Sequence, residues 1–120
     1  MFLINVGYAE AQDPVKGAKL FKQTCASCHS VTEKKESFHT GPALLGVTKR
    51  PGRTDQWLLE WIADPTGMLK KDALAKQLLK ENKNVPMPNM LSAMNGNDPA
   101  KTKAAAADIL AYLKQLDSKK

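Results

Sequence analysis

The chain is poor in aromatic residues, in cysteine and in long apolar runs. Aromatic side chains make up 6% of its 120 residues, so a core built from protein alone is thin in a chain of this length. The two cysteines, at positions 25 and 28, cannot form a disulfide-rich scaffold or close a useful loop. No apolar run approaches the roughly 20 residues of a membrane-spanning helix. These deficits predict a chain that does not span a membrane and whose core needs something besides its own side chains.

The remaining composition is that of one globular domain. Apolar residues make up 42% and charged residues 25%, and 18 basic against 12 acidic side chains give a net charge of +6. Residues 1–11 differ from the rest and end in Ala9-Glu10-Ala11, a pattern typical of signal-peptide cleavage before Gln12. We interpret them as the remnant of an export signal, with a disordered terminus as the alternative. The sequence thus predicts a single domain over 12–120 and a periplasmic or otherwise exported location.

Helical signals dominate the chain, and no segment alternates convincingly with period two. Asp13 with Pro14 predicts a helix to about Thr24, and Thr54 predicts a helix that stops at Pro65. A further helix is predicted from about Lys71 to Glu81, and a last one begins after Asp98, with an apolar stripe formed by Ala105, Ile109, Tyr112, Leu113 and Leu116. Residues 30–53 contain several helix breakers and predict a long loop. The fold class is all-α.

The chemistry is concentrated in the pentapeptide Cys25-Ala26-Ser27-Cys28-His29. In the pattern C-x-x-C-H, two thiols add to the two vinyl groups of one haem, and the following imidazole binds the iron. A redox-active C-x-x-C would need strands around it, and a zinc site would need Cys28 and His29 to bind one ion, with His39 as the fourth ligand. The pattern therefore favours one covalently bound haem c, with His29 as an iron ligand.

The second iron ligand is sought among the methionines and His39. Met87 lies between Pro86 and Pro88, which cannot donate a backbone hydrogen bond and cannot belong to a helix interior. A thioether is a weak ligand and benefits from a stiff backbone, so Met87 is the preferred candidate. Met90, three residues further on in the same segment, is the rival candidate, and Met68, Met94 and His39 are less favoured.

These residues together resemble the class I c-type cytochromes. The resemblance extends from Asp13 to Leu116 and rests on motifs along that whole length: Gly17 and Phe21 before the pentapeptide, HTGPALLGV after it, the VPMPNM segment and the DILAYLKQL helix. The VPMPNM segment and the tryptophan-containing central helix look most like bacterial monohaem members, including the cytochrome c domains of respiratory enzymes such as nitric oxide reductase.

The resemblance implies a fold and a set of site residues. The first and last helices are expected to cross near Gly17, Phe21, Ile109 and Tyr112, with the haem in the core. His29 and Met87 are expected as the axial ligands, and Pro42 is expected to offer its carbonyl to His29. Positions of related bacterial members suggest that Arg53 and Trp57 bind the haem propionates, with Arg50 as the substitute.

The expected function is one-electron transfer, because two protein ligands leave no open position on the iron. The alternatives are a haem subunit docked in a respiratory complex and, less favoured, a peroxidase or gas-binding protein in which Met87 dissociates. We expect no enzymatic activity, because no cluster of residues offers a distal acid and base. We expect a monomer or weakly associated protein that binds no nucleic acid. Its redox partner should present an acidic patch to four lysines around the haem edge, Lys22, Lys34, Lys35 and Lys83.

Overall fold

The computed structural model describes residues 13–32 and 41–118. Across those residues the secondary structure is helical, without a β-strand. The helices are α1 (Pro14–Thr24), α2 (Asp55–Ala63), α3 (Pro65–Lys71), α4 (Ala73–Glu81), α5 (Met90–Met94) and α6 (Pro99–Ser118). The all-α prediction is confirmed, and the prediction for residues 1–11 lies outside the described residues. None of the helices described is long and apolar enough to cross a membrane.

Three helices begin at the capping residues that the sequence predicts. The Asp13 carboxylate accepts a hydrogen bond from the Val15 backbone N–H at 2.9 Å, and Pro14 occupies the first helical position. The Thr54 hydroxyl accepts from the Trp57 N–H at 3.1 Å. Asp98 accepts from the N–H groups of the first turn of α6. Each side chain satisfies a donor that the helix itself leaves unpaired.

The middle of the chain differs from the prediction in three places. Pro65 does not merely end α2, because it begins α3 with Asp64 as the capping residue between the two helices. The next helix starts at Ala73 rather than Lys71, because the Asp72 carboxylate accepts from the Ala75 N–H at 2.8 Å. Met90 begins α5 instead of continuing the extended segment. A proline allows a helix to start as readily as it stops one, which explains the first difference.

Part of the predicted long loop is also helical. The three residues Val47–Lys49 form a 3-10 helix, and the Val47 side chain is buried. The other described residues between 30 and 53 contain no helix, as expected for a segment with this many prolines and glycines.

The crossing of α1 and α6 is the main packing contact, and Gly17 lies at its centre. A Cβ atom added at Gly17 would collide with the backbone carbonyl of Asp108 and would lie 3.0 Å from the Ile109 nitrogen. The expected crossing is confirmed, but the closest contact is with the α6 backbone rather than with the side chains of Ile109 and Tyr112. The Tyr112 ring instead packs on Phe21, with ring centroids 5.7 Å apart.

The core around this crossing is small, as the composition predicts. Its buried cluster contains five residues of α6, one residue each of α1, α2 and α5, and Val47. They are Phe21, Leu58, Leu91, Val47, Ala105, Ala106, Ile109, Leu110 and Leu113. Three of the five stripe residues predicted for α6 are in this cluster, and the other two, Tyr112 and Leu116, pack against it.

We predict that Gly17→Val destabilises the protein by about 3 kcal/mol, at the upper end of typical overpacking costs, because the new side chain meets backbone that cannot rotate away. The measurement is a thermal melt of the haem-loaded protein followed by helical circular dichroism. Gln23→Val, on the exposed side of the same helix, controls for the helix propensity of valine. Equal melting temperatures for the two variants would contradict the close contact between α1 and α6 at Gly17.

Candidate functional site

The cysteine and histidine motif forms a turn at the end of α1. The Cys25 N–H donates to the Phe21 carbonyl at 2.8 Å, and the His29 N–H donates to the Cys25 carbonyl at 2.9 Å. Both thiols are partly buried and no disulfide joins them. Burial raises the pKa of the Cys25 thiol, which keeps it protonated at neutral pH. The turn therefore presents two thiols and an imidazole within five residues.

The imidazole of His29 is oriented by a carbonyl from the following loop. Its Nδ1 lies 2.8 Å from the backbone oxygen of Pro42. A carbonyl can only accept, so Nδ1 carries the proton and the lone pair of the neutral ring is on Nε2. This is the tautomer suited to bind iron through Nε2, and the hydrogen bond increases the donor strength of the ring.

Gly41 allows the loop to approach this closely. A Cβ atom at position 41 would lie 2.5 Å from Cε1 and 2.7 Å from Nδ1 of His29, which is closer than such atoms can come. The Gly41 N–H also donates to the Cys28 carbonyl at 2.8 Å. Gly41 belongs to the HTGPALLGV motif and is one of the helix breakers between residues 30 and 53. Its place directly before Pro42 is the signal from which this role could have been predicted.

The loop that carries Pro42 is held by a backbone hydrogen bond and by the side chain of Arg50. The Leu44 N–H donates to the Ser30 carbonyl at 2.9 Å, which ties the loop to the segment after His29. The Arg50 guanidinium donates to the carbonyls of Ala43 at 3.0 Å and Leu45 at 3.3 Å. These bonds fix the path of residues 41–45 beside the imidazole.

Asp117, near the end of α6, holds the same loop from the opposite side. Its carboxylate accepts from the Gly46 N–H at 2.6 Å, from the Thr48 N–H at 2.9 Å and from the Thr48 hydroxyl at 2.5 Å. Its side chain is 1% exposed. Burial opposes ionisation, but the hydrogen bonds from Thr48 and Gly46 outweigh it and lower the pKa of Asp117. No sequence pattern pointed to this residue.

The predicted propionate partners lie together, but their donors are partly in use. The Arg53 guanidinium carbon lies 5.9 Å from the centre of the Trp57 ring, and Arg53 donates to the Pro51 carbonyl at 2.9 Å. The Trp57 indole N–H donates to the Asp72 carboxylate at 2.9 Å. An indole has one donor, so Trp57 can bond a propionate only if Asp72 releases it. The expectation that Arg53 and Trp57 bind the haem propionates stays a prediction.

Met87 lies in an extended segment between α4 and α5, and its side chain is partly buried. The segment is non-helical from Val85 to Asn89, as the two prolines predict. Met90 is 47% exposed at the first position of α5, and Met94 is 46% exposed. Met68 is buried at 4% exposure in α3. His39 lies outside the described residues.

The donor set fits a covalently bound haem. Two thiols that form no disulfide lie at the end of α1 and can form thioethers, and the oriented imidazole follows directly in the chain. Gly41 keeps the space next to the ring clear of a side chain. Among the described residues, no group of three or more His, Cys, Asp or Glu could hold a separate metal ion. Fold and site thus define an all-α protein that attaches haem through a C-x-x-C-H turn.

Comparison with known families agrees with this class. The family model described as cytochrome c matches residues 14–117. The cytochrome c of Theileria annulata is 33% identical over 108 residues, which cover 89% of each chain. The cytochrome c of Gibberella zeae is 35% identical over 103 residues, covering 85% of this chain and 92% of that protein. The chain belongs to the cytochrome c family, whose members bind one haem c covalently and transfer electrons.

Solved structures of cytochrome c are similar over the whole chain. A cytochrome c from Rhodothermus marinus superposes with a TM-score of 0.67 at 28% identity, covering 100% of this chain and 88% of that one. An engineered form of that protein, solved with a bound carbene intermediate, has a TM-score of 0.60 at 26% identity, covering 98% and 87%. The predicted cytochrome c fold and the covalent haem on Cys25 and Cys28 are confirmed.

We predict that Asp117→Asn destabilises the protein by about 2–3 kcal/mol near neutral pH, because hydrogen bonds to a buried carboxylate are charge-assisted. The folded pKa lies below the unfolded value, so this stabilisation is complete above the unfolded pKa. It is lost as the pH falls below about 4 and through the folded pKa. The difference in free energy of unfolding between the wild type and Asp117→Asn should therefore become smaller in acid.

Urea unfolding at a series of pH values measures this difference. Asp55→Asn is the matched control, because Asp55 forms an exposed ion pair with Lys114 at 2.7 Å and should contribute little. A difference for Asp117→Asn that stays constant down to low pH would mean that its charge does not stabilise the loop.

Proposed function

We propose that this chain is a soluble one-electron carrier whose haem iron is ligated by His29 and Met87. The observation that carries the proposal is the 2.8 Å contact between His29 Nδ1 and the Pro42 carbonyl, which orients one ligand before any metal is considered. When bound, the haem supplies reversible exchange of one electron at iron. The contribution of the chain is to hold both ligands still, so that little rearrangement accompanies each electron.

Placement of the methionines supports Met87 over Met90. Met87 is partly buried in a segment whose two prolines fix two φ angles. Met90 is half in solvent and belongs to α5, so its movement is coupled to that helix. Met68 is packed inside the protein. A stiff, extended segment suits a weak thioether ligand better than the end of a short helix.

We predict that Met87→Ala abolishes the sulfur-to-iron charge-transfer band of the oxidised protein and lowers its reduction potential, because thioether ligation favours ferrous iron. Met90→Ala, the matched control in the same region, should leave the band and the potential nearly unchanged. Absorption spectroscopy and redox titration measure both properties. Reversed behaviour of the two variants would assign the iron ligand to Met90.

Two neighbouring arginines support a propionate site at the start of α2. Burial and the nearby charge of Arg50 both lower the pKa of the Arg53 guanidinium. Two close cations are stabilised by an anion between them, and an arginine can bind a carboxylate in two places. We therefore assign the propionates to Arg53 with Arg50, and Trp57 contributes a donor there only when Asp72 releases it.

The net charge of +6 supports an acidic redox partner. Lys22, at the end of α1, and Lys83, before the Met87 segment, are both exposed. Lys34 and Lys35 lie outside the described residues. We propose that these lysines surround the haem edge and guide it toward a carboxylate-rich surface.

We predict that electron transfer from the reduced protein to ferricyanide, an anionic oxidant, slows as salt is added, since exposed charges are screened beyond about 10 Å at 0.1 M. A cationic cobalt complex should show the opposite trend. Lys83→Glu should weaken the salt dependence with ferricyanide. Lys101→Glu, an equal charge change on the exposed face of α6, should weaken it less. Stopped-flow rates that are independent of salt would contradict the proposal that these lysines guide the redox partner to the haem edge.

A second candidate is a haem subunit of a respiratory complex. Val85, Met90 and Met94 are 44–47% exposed and lie on either side of Met87 in the chain, and exposed apolar side chains suit a lasting contact. Gel filtration of the native protein, with co-purifying subunits identified, separates the two candidates.

The narrower likeness to domains of respiratory enzymes stays a prediction. We also propose that the protein is periplasmic or otherwise exported, and the Ala9-Glu10-Ala11 pattern supports this proposal.

A further inference from the structure

The segment that carries Met87 receives its position from its two ends. None of the hydrogen bonds between described residues involves Pro86, Met87 or Pro88. Both prolines lack a backbone donor, which accounts for part of this. The hydrogen bonds that position this segment therefore come from the residues directly before and after these three.

The contacts before Met87 are local. The Val85 N–H donates to the Asn82 carbonyl at 3.0 Å, and the Asn82 side chain donates to the Val85 carbonyl at 3.1 Å. Lys83 and Asn84 between them have φ angles of 56° and 63°, in the left-handed region. This turn closes on itself at the end of α4 and does not reach another part of the fold.

The contacts after Met87 are long-range and converge on one side chain. The Asn89 Oδ1 accepts from the Thr66 N–H at 3.0 Å and from the Thr66 hydroxyl at 2.8 Å. The Asn89 Nδ2 donates to the Asp64 carboxylate at 2.9 Å. Asn89 thus joins the Met87 segment to the start of α3, more than twenty residues earlier in the chain.

Asn89 supplies the hydrogen-bond acceptor that one backbone N–H in the first turn of α3 would otherwise lack. Pro65 has no N–H, the Gly67 N–H donates to the Asp64 carboxylate, and the Met68 N–H donates to the Asp64 carbonyl. The Thr66 N–H remains, and Asn89 accepts it. Asn89 is also the residue that precedes α5, yet its side chain makes no capping bond to that helix. An asparagine in that position usually caps its own helix, so its use for α3 indicates a tertiary role.

We propose that Asn89 is a positioning residue that keeps the Met87 sulfur on the iron by tying the Met87 segment to Asp64 and Thr66. This rests on the proposed ligation by Met87. Leu91, 5% exposed in the core, anchors α5 independently, so loss of the Asn89 contacts should loosen the segment without unfolding the protein. A looser segment releases Met87 more often, and an added ligand binds more tightly in proportion to the open fraction.

Cyanide binding to the oxidised haem-loaded protein measures this open fraction, because cyanide must displace Met87. Asn89→Ala should raise the apparent cyanide affinity about tenfold, as expected if the three lost hydrogen bonds together contribute about 1.4 kcal/mol to holding the segment. Gln77→Ala is the matched control, because its exposed amide on α4 is bonded only to Glu81, and it should leave the affinity unchanged. The charge-transfer band of Asn89→Ala should remain but disappear at lower cyanide concentration.

An exchange of partners tests whether Asn89 acts through Asp64. Asn89→Asp alone places two carboxylates together and should raise cyanide affinity at least as much as Asn89→Ala. Adding Asp64→Asn restores a donor and an acceptor at unchanged net charge, and should return the affinity to near the wild-type value. A merely structural role would lower the melting temperature without this pattern in cyanide affinity.

The results separate this inference from the proposed function. A charge-transfer band that persists in Met87→Ala overturns the ligation itself. A band that is lost in Met87→Ala, together with wild-type cyanide affinity in Asn89→Ala, overturns only the role of Asn89. The role of Asn89 is also overturned if cyanide affinity rises equally in Gln77→Ala. It is overturned as well if adding Asp64→Asn to Asn89→Asp does not return the affinity toward the wild-type value.

Discussion

The contact between the His29 imidazole and the Pro42 carbonyl is the interaction on which the rest of the site depends. It sets the tautomer of the ring and leaves the lone pair on Nε2, the atom that we propose as the iron ligand. A carbonyl in a loop can do this only if the loop is immobile. Arg50 supplies part of that rigidity from within the loop, and Asp117 supplies the rest from the far end of α6. The absence of a side chain at Gly41 provides the room.

This arrangement connects the ligand to the helix crossing. Helix α6 packs on α1 at Gly17 and carries Asp117 near its end, while α1 ends in the turn that holds the two cysteines. The same two helices therefore form most of the protein core. They also position the turn that carries His29 and the carboxylate of Asp117, which holds the loop beside it. A chain with so little aromatic surface gains stability when a large flat group joins that core, which links haem attachment to folding.

The surroundings of His29 and of Met87 are built by different means. Beside His29, hydrogen bonds with Ser30, Arg50 and Asp117 hold the loop that carries Pro42. On the Met87 side, the prolines make the segment stiff, and the side chain of Asn89 joins it to α3. In the ligation that we propose, a thioether held mainly by its flanking residues suits an electron carrier, because the ligand has to stay bound in both oxidation states. The contacts of Asn89 with Thr66 and Asp64 are then the place where mutation can change ligand release.

The sequence by itself determined the helical class, the three cap-defined helix starts and the cysteine-histidine turn, because each depends on neighbouring residues. It also predicted that Gly17 lies at a crossing and that residues around Met87 are not helical. The start of α3 at Pro65 was missed, since a proline is compatible with either end of a helix. Tertiary structure alone decided the acceptor of the Trp57 indole and the partners of Asp117 and Asn89. Those contacts join residues 15 to 71 positions apart, and no local pattern specifies which distant donor a buried carboxylate or amide will meet.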